Sequence, residues 1–254
     1  MMGFTFAGIH SEQHGLRVLD VKRPISPGIA AKTVKVPGKA GVYDMGNEVD
    51  ALHISVEVLL TGQTLREIRD RVRAVAAWLR NDDRTGMLTF DDEPDKAYTA
   101  RLTDQTELEE MALTGQATLT FLAADPLAYA VEDDVFTSES GMLSFQRKGT
   151  APSQPLIEIT GESGGMDGGF EVGLNGSMMT YKGPLGFGER LVIDSRLKTA
   201  YLLKTDGTKQ SALNAFDSLI FPLTLPGKEN QLQVSPLGAA TVDQVKITCR
   251  SCWY

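Results

Sequence analysis

The sequence predicts a mainly β protein in two parts: an N-terminal β-domain covered by one α-helix and a C-terminal antiparallel β-sandwich. Three observations carry this. Leu52, Ile54, Val56, Val58 and Leu60 alternate with polar residues, so one face of a strand is apolar. The apolar spacing then changes to steps of three and four at Leu65, Ile68, Val72, Val75, Ala76 and Leu79, which is one stripe of a helix. Beyond residue 130 the chain holds only short β-type runs separated by Gly and Pro.

In chain order, Phe4-Thr5-Phe6 and Leu16 to Val21 read as strands. Residues 24–50 are Pro- and Gly-rich and hold few bulky apolar residues. Within them Thr33 to Val36 and Val42 to Asp44 are placed to pair around Pro37-Gly38-Lys39-Ala40-Gly41. The product is a long polar hairpin without a core partner. Such a segment is either a surface loop or an arm reaching onto another subunit.

Thr64 is positioned to cap the helix at Glu67, with Glu67 reaching back to the Thr64 amide. Arg66, Arg69, Asp70, Arg73 and Arg80 form its wet face. Asn81 to Gly86 ends it, and Met87 to Phe90 returns as a strand. A lone amphipathic helix among strands needs a sheet to lie on, so it is a lid and not one turn of a Rossmann fold. Asp91 to Asp95 reads as an acidic turn, Tyr98 to Thr103 as a strand, Glu107 to Glu110 as a charged turn and Gly115 to Ala123 as a strand. The domain boundary falls near residues 128–135, which divides the chain into 1–130 and 131–254.

In the second part the expected strands are Met142 to Arg147, Pro155 to Thr160, Phe170 to Leu174, Ser177 to Tyr181 and Arg190 to Asp194. Thr199 to Lys204, Leu219 to Leu225, Gln231 to Ser235 and Asp243 to Cys249 follow. Asn175-Gly176 and Asp206-Gly207 read as two-residue hairpin turns. Regular short strands with this punctuation argue for an antiparallel sandwich.

Composition excludes several functions. The chain has 254 residues, 42% of them apolar, and a formal net charge of −8. The acidity is spread over both parts, with 14 Lys and Arg against 19 Asp and Glu in residues 1–130 and 11 against 14 in the rest. A nucleic-acid binder normally shows a basic face. No apolar run approaches the ~18 residues of a membrane span, and Met1 to Phe6 lacks the features of a signal peptide. Two cysteines do not make a disulfide framework, and a reducing cytosol is the expected site of synthesis.

Each candidate motif has a bland reading that fits better. Asp91, Asp92, Glu93 and Asp95 lack the spacing of a calcium loop. Cys249-Arg250-Ser251-Cys252 ends a strand instead of opening a helix, and the second part holds no further Cys or His to complete a zinc site. Gly161 to Gly169 lacks the Gly-Lys-Ser/Thr ending of a phosphate loop and reads as a mobile loop. Asn175-Gly176-Ser177 matches a glycosylation sequon by turn chemistry alone. His10, His14 and His53 meet no nucleophile elbow, and Glu158, Glu171 and Glu189 are scattered. No catalytic residue, metal ligand or cofactor-binding residue is assigned, and the chain is not expected to be an enzyme.

The order of several pieces over the full length resembles a known family. They are Phe6 to Ile9, Val36 to Asp44, the strand and helix above, Leu88 to Pro94, Tyr98 to Ala100, and Thr120-Phe121 leading to Asp125 through Tyr129. Leu191 to Asp194, Ala212 to Asn214, Phe221 to Leu223 and Leu225 to Asn230 continue the order. Together they resemble the distal tail (Dit) proteins of siphophages, which have long non-contractile tails. Lys204 to Lys209 departs from the family's short turn, which implies an extended hairpin, and the Cys pair is not part of the pattern.

The resemblance implies a structural virion protein at the tail tip, made in the bacterial host cytoplasm. The first domain would be a β-sandwich or split barrel that forms a homo-hexameric ring, and the second a galectin-like sandwich. An arm at about 30–48 would grip the neighbouring subunit through Val36, Pro37, Gly38, Lys39, Ala40, Gly41, Val42 and Tyr43. The partners implied are the tail tube protein, the end of the tape measure and the tail-associated or receptor-binding proteins. DNA would pass through an acidic channel without sticking, because like charge removes the gain from counterion release. The reading from another class is a carbohydrate-binding module for host-wall glycans. Residues 131–254 hold no His, and Trp253 is their sole Trp, which argues against a sugar platform.

Overall fold

The computed structural model describes residues 3–80, 84–103, 108–111, 114–165, 168–218 and 220–254, with the side chains of 108–111 outside the description. The chain is mainly β and falls into two compact units, one spanning Met1–Val131 and the other Glu132–Trp253.

In the first unit the strands are β1 (Phe4–Phe6), β2 (Ile9–His10), β3 (Leu16–Lys22), β4 (Ile29–Val34), β5 (Tyr43–Val49) and β6 (Leu52–Thr61). Helix α1 (Leu65–Arg80) follows, then β7 (Gly86–Phe90), β8 (Glu93–Thr103), β9 (Leu108–Met111), β10 (Thr114–Ala123) and β11 (Ala128–Ala130). The main sheet runs β2-β1-β7-β8-β10-β6-β3, antiparallel throughout. The alternation in β6 does what period two requires: Leu52, Ile54, Val56, Val58 and Leu60 are all buried. Across from them on β10, Ala117, Leu119 and Phe121 line the same core.

The helix lies on this sheet through Ile68, Val75, Trp78 and Leu79. Trp78 was not on the expected stripe, and Leu65, which was, is exposed. The indole stacks on Phe4 at 5.7 Å between ring centroids, and its Nε1 donates to the Phe6 carbonyl at 3.0 Å. A Trp with its N–H satisfied can take a core position that counting alone leaves to its neighbours. The cap forms as expected at one end: the Glu67 amide donates to Thr64 Oγ1 at 3.2 Å. The return contact is one residue displaced, since the Glu67 carboxylate accepts from the Gln63 amide at 2.8 Å.

Other expectations need correction. Residues 108–111 are a strand on β10 rather than a charged turn, because β10 extends back to Thr114 and offers an open edge; Glu107 lies outside the described residues. So do Asn81, Asp82 and Asp83 of the expected helix stop. The turn after Phe90 covers only Asp91 and Asp92, and β8 already begins at Glu93.

The second unit packs two antiparallel sheets face to face. Its strands are β12 (Asp134–Ser138), β13 (Met142–Phe145), β14 (Leu156–Gly164), β15 (Gly168–Leu174), β16 (Ser177–Tyr181) and β17 (Pro184–Leu185). Next come β18 (Arg190–Asp194), β19 (Thr199–Leu203), β20 (Lys209–Ser211), β21 (Asn230–Gly238) and β22 (Thr241–Cys249). One sheet runs β12-β22-β14-β18-β19-β20 and the other β13-β21-β15-β16. Ile157, Ile159, Leu191, Ile193, Val245 and Ile247 from the first meet Phe170, Val172, Leu174, Tyr181, Leu232 and Val234 from the second in one core.

Asn175 (φ 52°) and Gly176 (φ 85°) make the two-residue turn expected between β15 and β16. The Asp206-Gly207 turn is longer than the two-residue hairpin turn read from its residues and agrees with the extended hairpin that Lys204 to Lys209 implied. Only Gly207 has positive φ, and the Gly207 and Lys204 amides donate to the Lys204 and Thr208 carbonyls respectively. The glycine-rich stretch is also more regular than a mobile loop. Gly161 lies in β14 and Gly169 in β15, with Met166 and Asp167 between them outside the described residues. A Cβ at Gly161 would sit 2.0 Å from the Thr241 carbonyl oxygen, and one at Gly169 equally close to that of Tyr181. These glycines let neighbouring backbones approach. Residues 220–225 form no strand apart from a bridge between Thr224 and Ser153, and Leu219 lies outside the described residues.

Candidate subunit-contact arm

The hairpin of β4 and β5 differs in kind from everything else in the first unit. Its strands pair with each other and with no further strand among the described residues. The register runs from Ile29 opposite Val49 to Val34 opposite Tyr43. It slips between Ala31 and Thr33, where Gly46 (φ 94°) absorbs a bulge and donates its amide to Asp44 Oδ1 at 2.9 Å. At the tip, the Lys39 amide donates to the Val36 carbonyl at 3.2 Å, with Pro37 and Gly38 (φ 84°) between them. Pro at the second position and a positive-φ Gly at the third are what a type II turn requires. The Asp50 amide closes the base on the Gly28 carbonyl at 2.8 Å.

All eight residues from Val36 to Tyr43 assigned to the arm tip are brought together there, and all are exposed. Lys39 Nζ lies 3.2 Å from the centre of the Tyr43 ring, a cation–π contact that orders the tip. Lys32 crosses to Glu48 at 2.6 Å. The paired region, Ile29 to Val49, is slightly longer than the expected 30–48.

The sequence reading missed how apolar this segment is. Between residues 25 and 49, eight large apolar side chains are exposed: Ile25, Ile29, Val34, Val36, Val42, Tyr43, Met45 and Val49. Met45 is 62% exposed and Ile29 60%. Their signal was available, because alternating apolar residues in a Pro/Gly-rich hairpin without a facing partner must end in water. Every residue of both strands is exposed. A two-stranded ribbon with no covered face is marginal by itself, and its outer edges offer unpaired backbone groups.

The arm's root is held electrostatically. Arg23, just after β3, pairs with Asp92 and with Glu93 at 2.9 Å, and its guanidinium lies 4.9 Å from the centre of the Phe90 ring. Two of the carboxylates weighed for a metal therefore bind an arginine.

The other candidate residues stay apart from the arm and from one another. His10 caps a short 3₁₀ helix and faces Asp91 at 3.2 Å, His14 stacks on Trp78, and His53 is exposed on β6. Glu158 is a nearly buried carboxylate between Arg190 at 3.1 Å and Lys246 at 2.7 Å, a cross-strand ion network. The Glu189 carboxyl is held below the usual carboxylate range by Lys204 at 2.7 Å and by the Gly186 amide. Cys249 and Cys252 are buried and not joined in a disulfide, and burial pushes the Cys249 thiol up to about 12, far from a reactive thiolate. Among the described residues no helix is long and apolar enough to cross a membrane.

Residues 9–123, which include the arm, match the family described as phage tail protein RIFT-related domain. The whole fold is similar to the crystal structure of the Dit protein of phage SPP1, described there as a paradigm of the hub adsorption apparatus in phages infecting Gram-positive hosts. The TM-score is 0.81 at 14% identity, with 100% of each chain covered. It is also similar to a chain of the phage P2 baseplate in its activated conformation with Ca, with a TM-score of 0.52 at 10% identity, covering 99% of this chain and 98% of that one. No curated protein sequence matches the chain.

Proposed function

From the premise that residues 9–123 form a phage tail domain within a Dit-like fold, we propose that the chain is a structural component of a siphophage tail tip whose first unit forms a ring of six copies. The observation that carries this is the arm. A folded chain that leaves a bulged, turn-stabilised hairpin wholly exposed, with seven large apolar side chains on it, has built a surface for another protein. A heterologous contact of this kind, arm to neighbour, closes into a ring when the rotation closes. The eight tip residues, Val36 to Tyr43, are its contact set.

The ring would join the tail tube and tape-measure end to baseplate or receptor-binding proteins. The second unit, read as a galectin-like sandwich, would face those outer partners. The net charge of −8 per copy suits a channel that DNA must cross without adhering. The role in this reading is structural, as it is for the phage tail domain and hub protein that the chain resembles.

Light scattering after size exclusion, at several concentrations, tests the ring. A mass near six times 27.6 kDa is expected. A monomer at every concentration, with and without tail partners, would remove the ring from the proposal.

A further inference from the structure

Two side-chain amides tie distant stretches of the second unit together. One is Asn175, in the Asn175-Gly176 turn between β15 and β16, and the other is Asn230, where the loop 223–230 runs into β21. Asn175 Nδ2 donates to the Leu223 carbonyl at 3.1 Å and to Asn230 Oδ1 at 2.7 Å. Asn175 Oδ1 accepts from the Gln231 amide at 3.1 Å. Asn230 is fully buried. Its Oδ1 also accepts from the Leu225 amide at 2.7 Å, and its Nδ2 donates to the Leu225 and Lys228 carbonyls at 3.0 and 3.1 Å. Each side chain thus bonds backbone donors and backbone acceptors, which fixes the end of each amide that is nitrogen.

This latch depends on Asn175 Nδ2 being a donor. A carboxylate in its place would set an oxygen against the Leu223 carbonyl and Asn230 Oδ1, three acceptors with no hydrogen among them. Asn230 would turn away, and the Leu225 amide would lose its acceptor. The contact with the Gln231 amide would survive, because a carboxylate oxygen accepts as an amide oxygen does.

The chemistry for that exchange is already in the sequence. Asn175 precedes a glycine, and both residues are exposed. Gly176 has no Cβ to shield its backbone nitrogen, and beyond its chain neighbours no atom lies within 4 Å of where one would stand. Attack of that nitrogen on Asn175 Cγ forms a C–N bond, breaks the Cγ–Nδ2 bond and releases ammonia, leaving a cyclic imide. Water then opens the ring at either carbonyl to give aspartate or isoaspartate.

We infer that Asn175 is a site of spontaneous deamidation and that its conversion unlatches the loop 223–230. The side-chain bonds slow the reaction without preventing it, because an exposed turn opens locally. Resting on the reading of the chain as a virion component, which an assembled particle does not replace, the change accumulates with the age of the particle.

The test uses the full chain, incubated at mildly alkaline pH, with peptide mapping by mass spectrometry. Conversion of Asn175 to a mixture of aspartate and isoaspartate is expected. Gly176→Asp, a residue that tolerates positive φ, is expected to slow it several-fold. Hydrogen exchange on Asn175→Asp then reads the latch. The Leu225 amide is expected to exchange about tenfold faster, with the Gln231 amide nearly unchanged. If Asn175→Asp does not fold, the same exchange is read on the aged, converted chain. An Asn175 that stays intact in the folded chain, while a synthetic peptide of residues 171–180 converts, overturns the site. Unchanged exchange at Leu225, or equal acceleration at Leu225 and Gln231, overturns the unlatching. Neither result bears on the ring, which light scattering tests separately.

Discussion

Two hairpins of this protein are built alike, and one is covered while the other is exposed. The arm joins Ile29–Val34 to Tyr43–Val49, and the β15–β16 hairpin joins Gly168–Leu174 to Ser177–Tyr181. Both are antiparallel, and both turn on residues with positive φ, Gly38 in one and Asn175 with Gly176 in the other. In β15–β16 the alternate residues Phe170, Val172, Leu174, Met179 and Tyr181 are buried against a second sheet. In the arm nothing is buried on either face. Turn chemistry and register therefore suffice to make a hairpin. What the hairpin is for depends on whether the fold supplies a surface to cover it.

The comparison breaks most visibly if the arm is removed. Deleting residues 30–48 is expected to abolish self-association and to leave a folded monomer, its melting temperature within about 2 °C of the parent's, since no core contact is lost. Sedimentation and calorimetry read the two halves of that statement. A deletion that unfolds the first unit would mean the arm belongs to the core after all.

Single truncations sharpen the same contrast. Phe170→Ala is expected to cost about 3–5 kcal/mol in denaturant unfolding, whereas Tyr43→Ala costs under about 0.5 kcal/mol in the monomer and acts on association alone. Equal losses of folding stability would erase the distinction between the hairpins.

Tyr181, in the buried hairpin, also gives a pH signature that the arm lacks. Burial pushes its phenol up to about 12 from an ordinary value of 10.0, and Cys249 in the same core reaches about 12. Between those values the unfolded chain holds fewer protons than the folded one, so stability falls as pH rises. Near pH 11 the tyrosine's share is about 1 kcal/mol. Tyr181→Phe should remove that share from the alkaline limb; an unchanged limb would show that the phenol does not contribute.

The smallest effect is at the helix cap. Thr64→Ala removes the acceptor of the Glu67 amide and should cost about 1 kcal/mol. Hydrogen exchange confined to the first turn of α1 is the sensitive readout, and no change there would mean that the Glu67 contact with Gln63 carries the cap.

Much of this architecture was legible because it is periodic. The alternation of β6, the stripe of α1, the Asn175-Gly176 turn and the Pro37-Gly38 turn are local matters, decided by sterics within a few residues. What was missed was long-range. Trp78 is buried because Phe4 and the Phe6 carbonyl stand opposite it, residues far off in the chain. Gly161 and Gly169 are strand residues because other backbones press on them. Asp134–Ser138 becomes a strand because β22 offers an edge.

The arm divides along the same line. That residues 29–49 form a hairpin, with a turn at Pro37-Gly38, follows from the order of amino acids. That the hairpin is exposed on both faces depends on how the sheets close and the helix settles. Local geometry needs only neighbours in sequence, whereas exposure is a property of the whole packed surface.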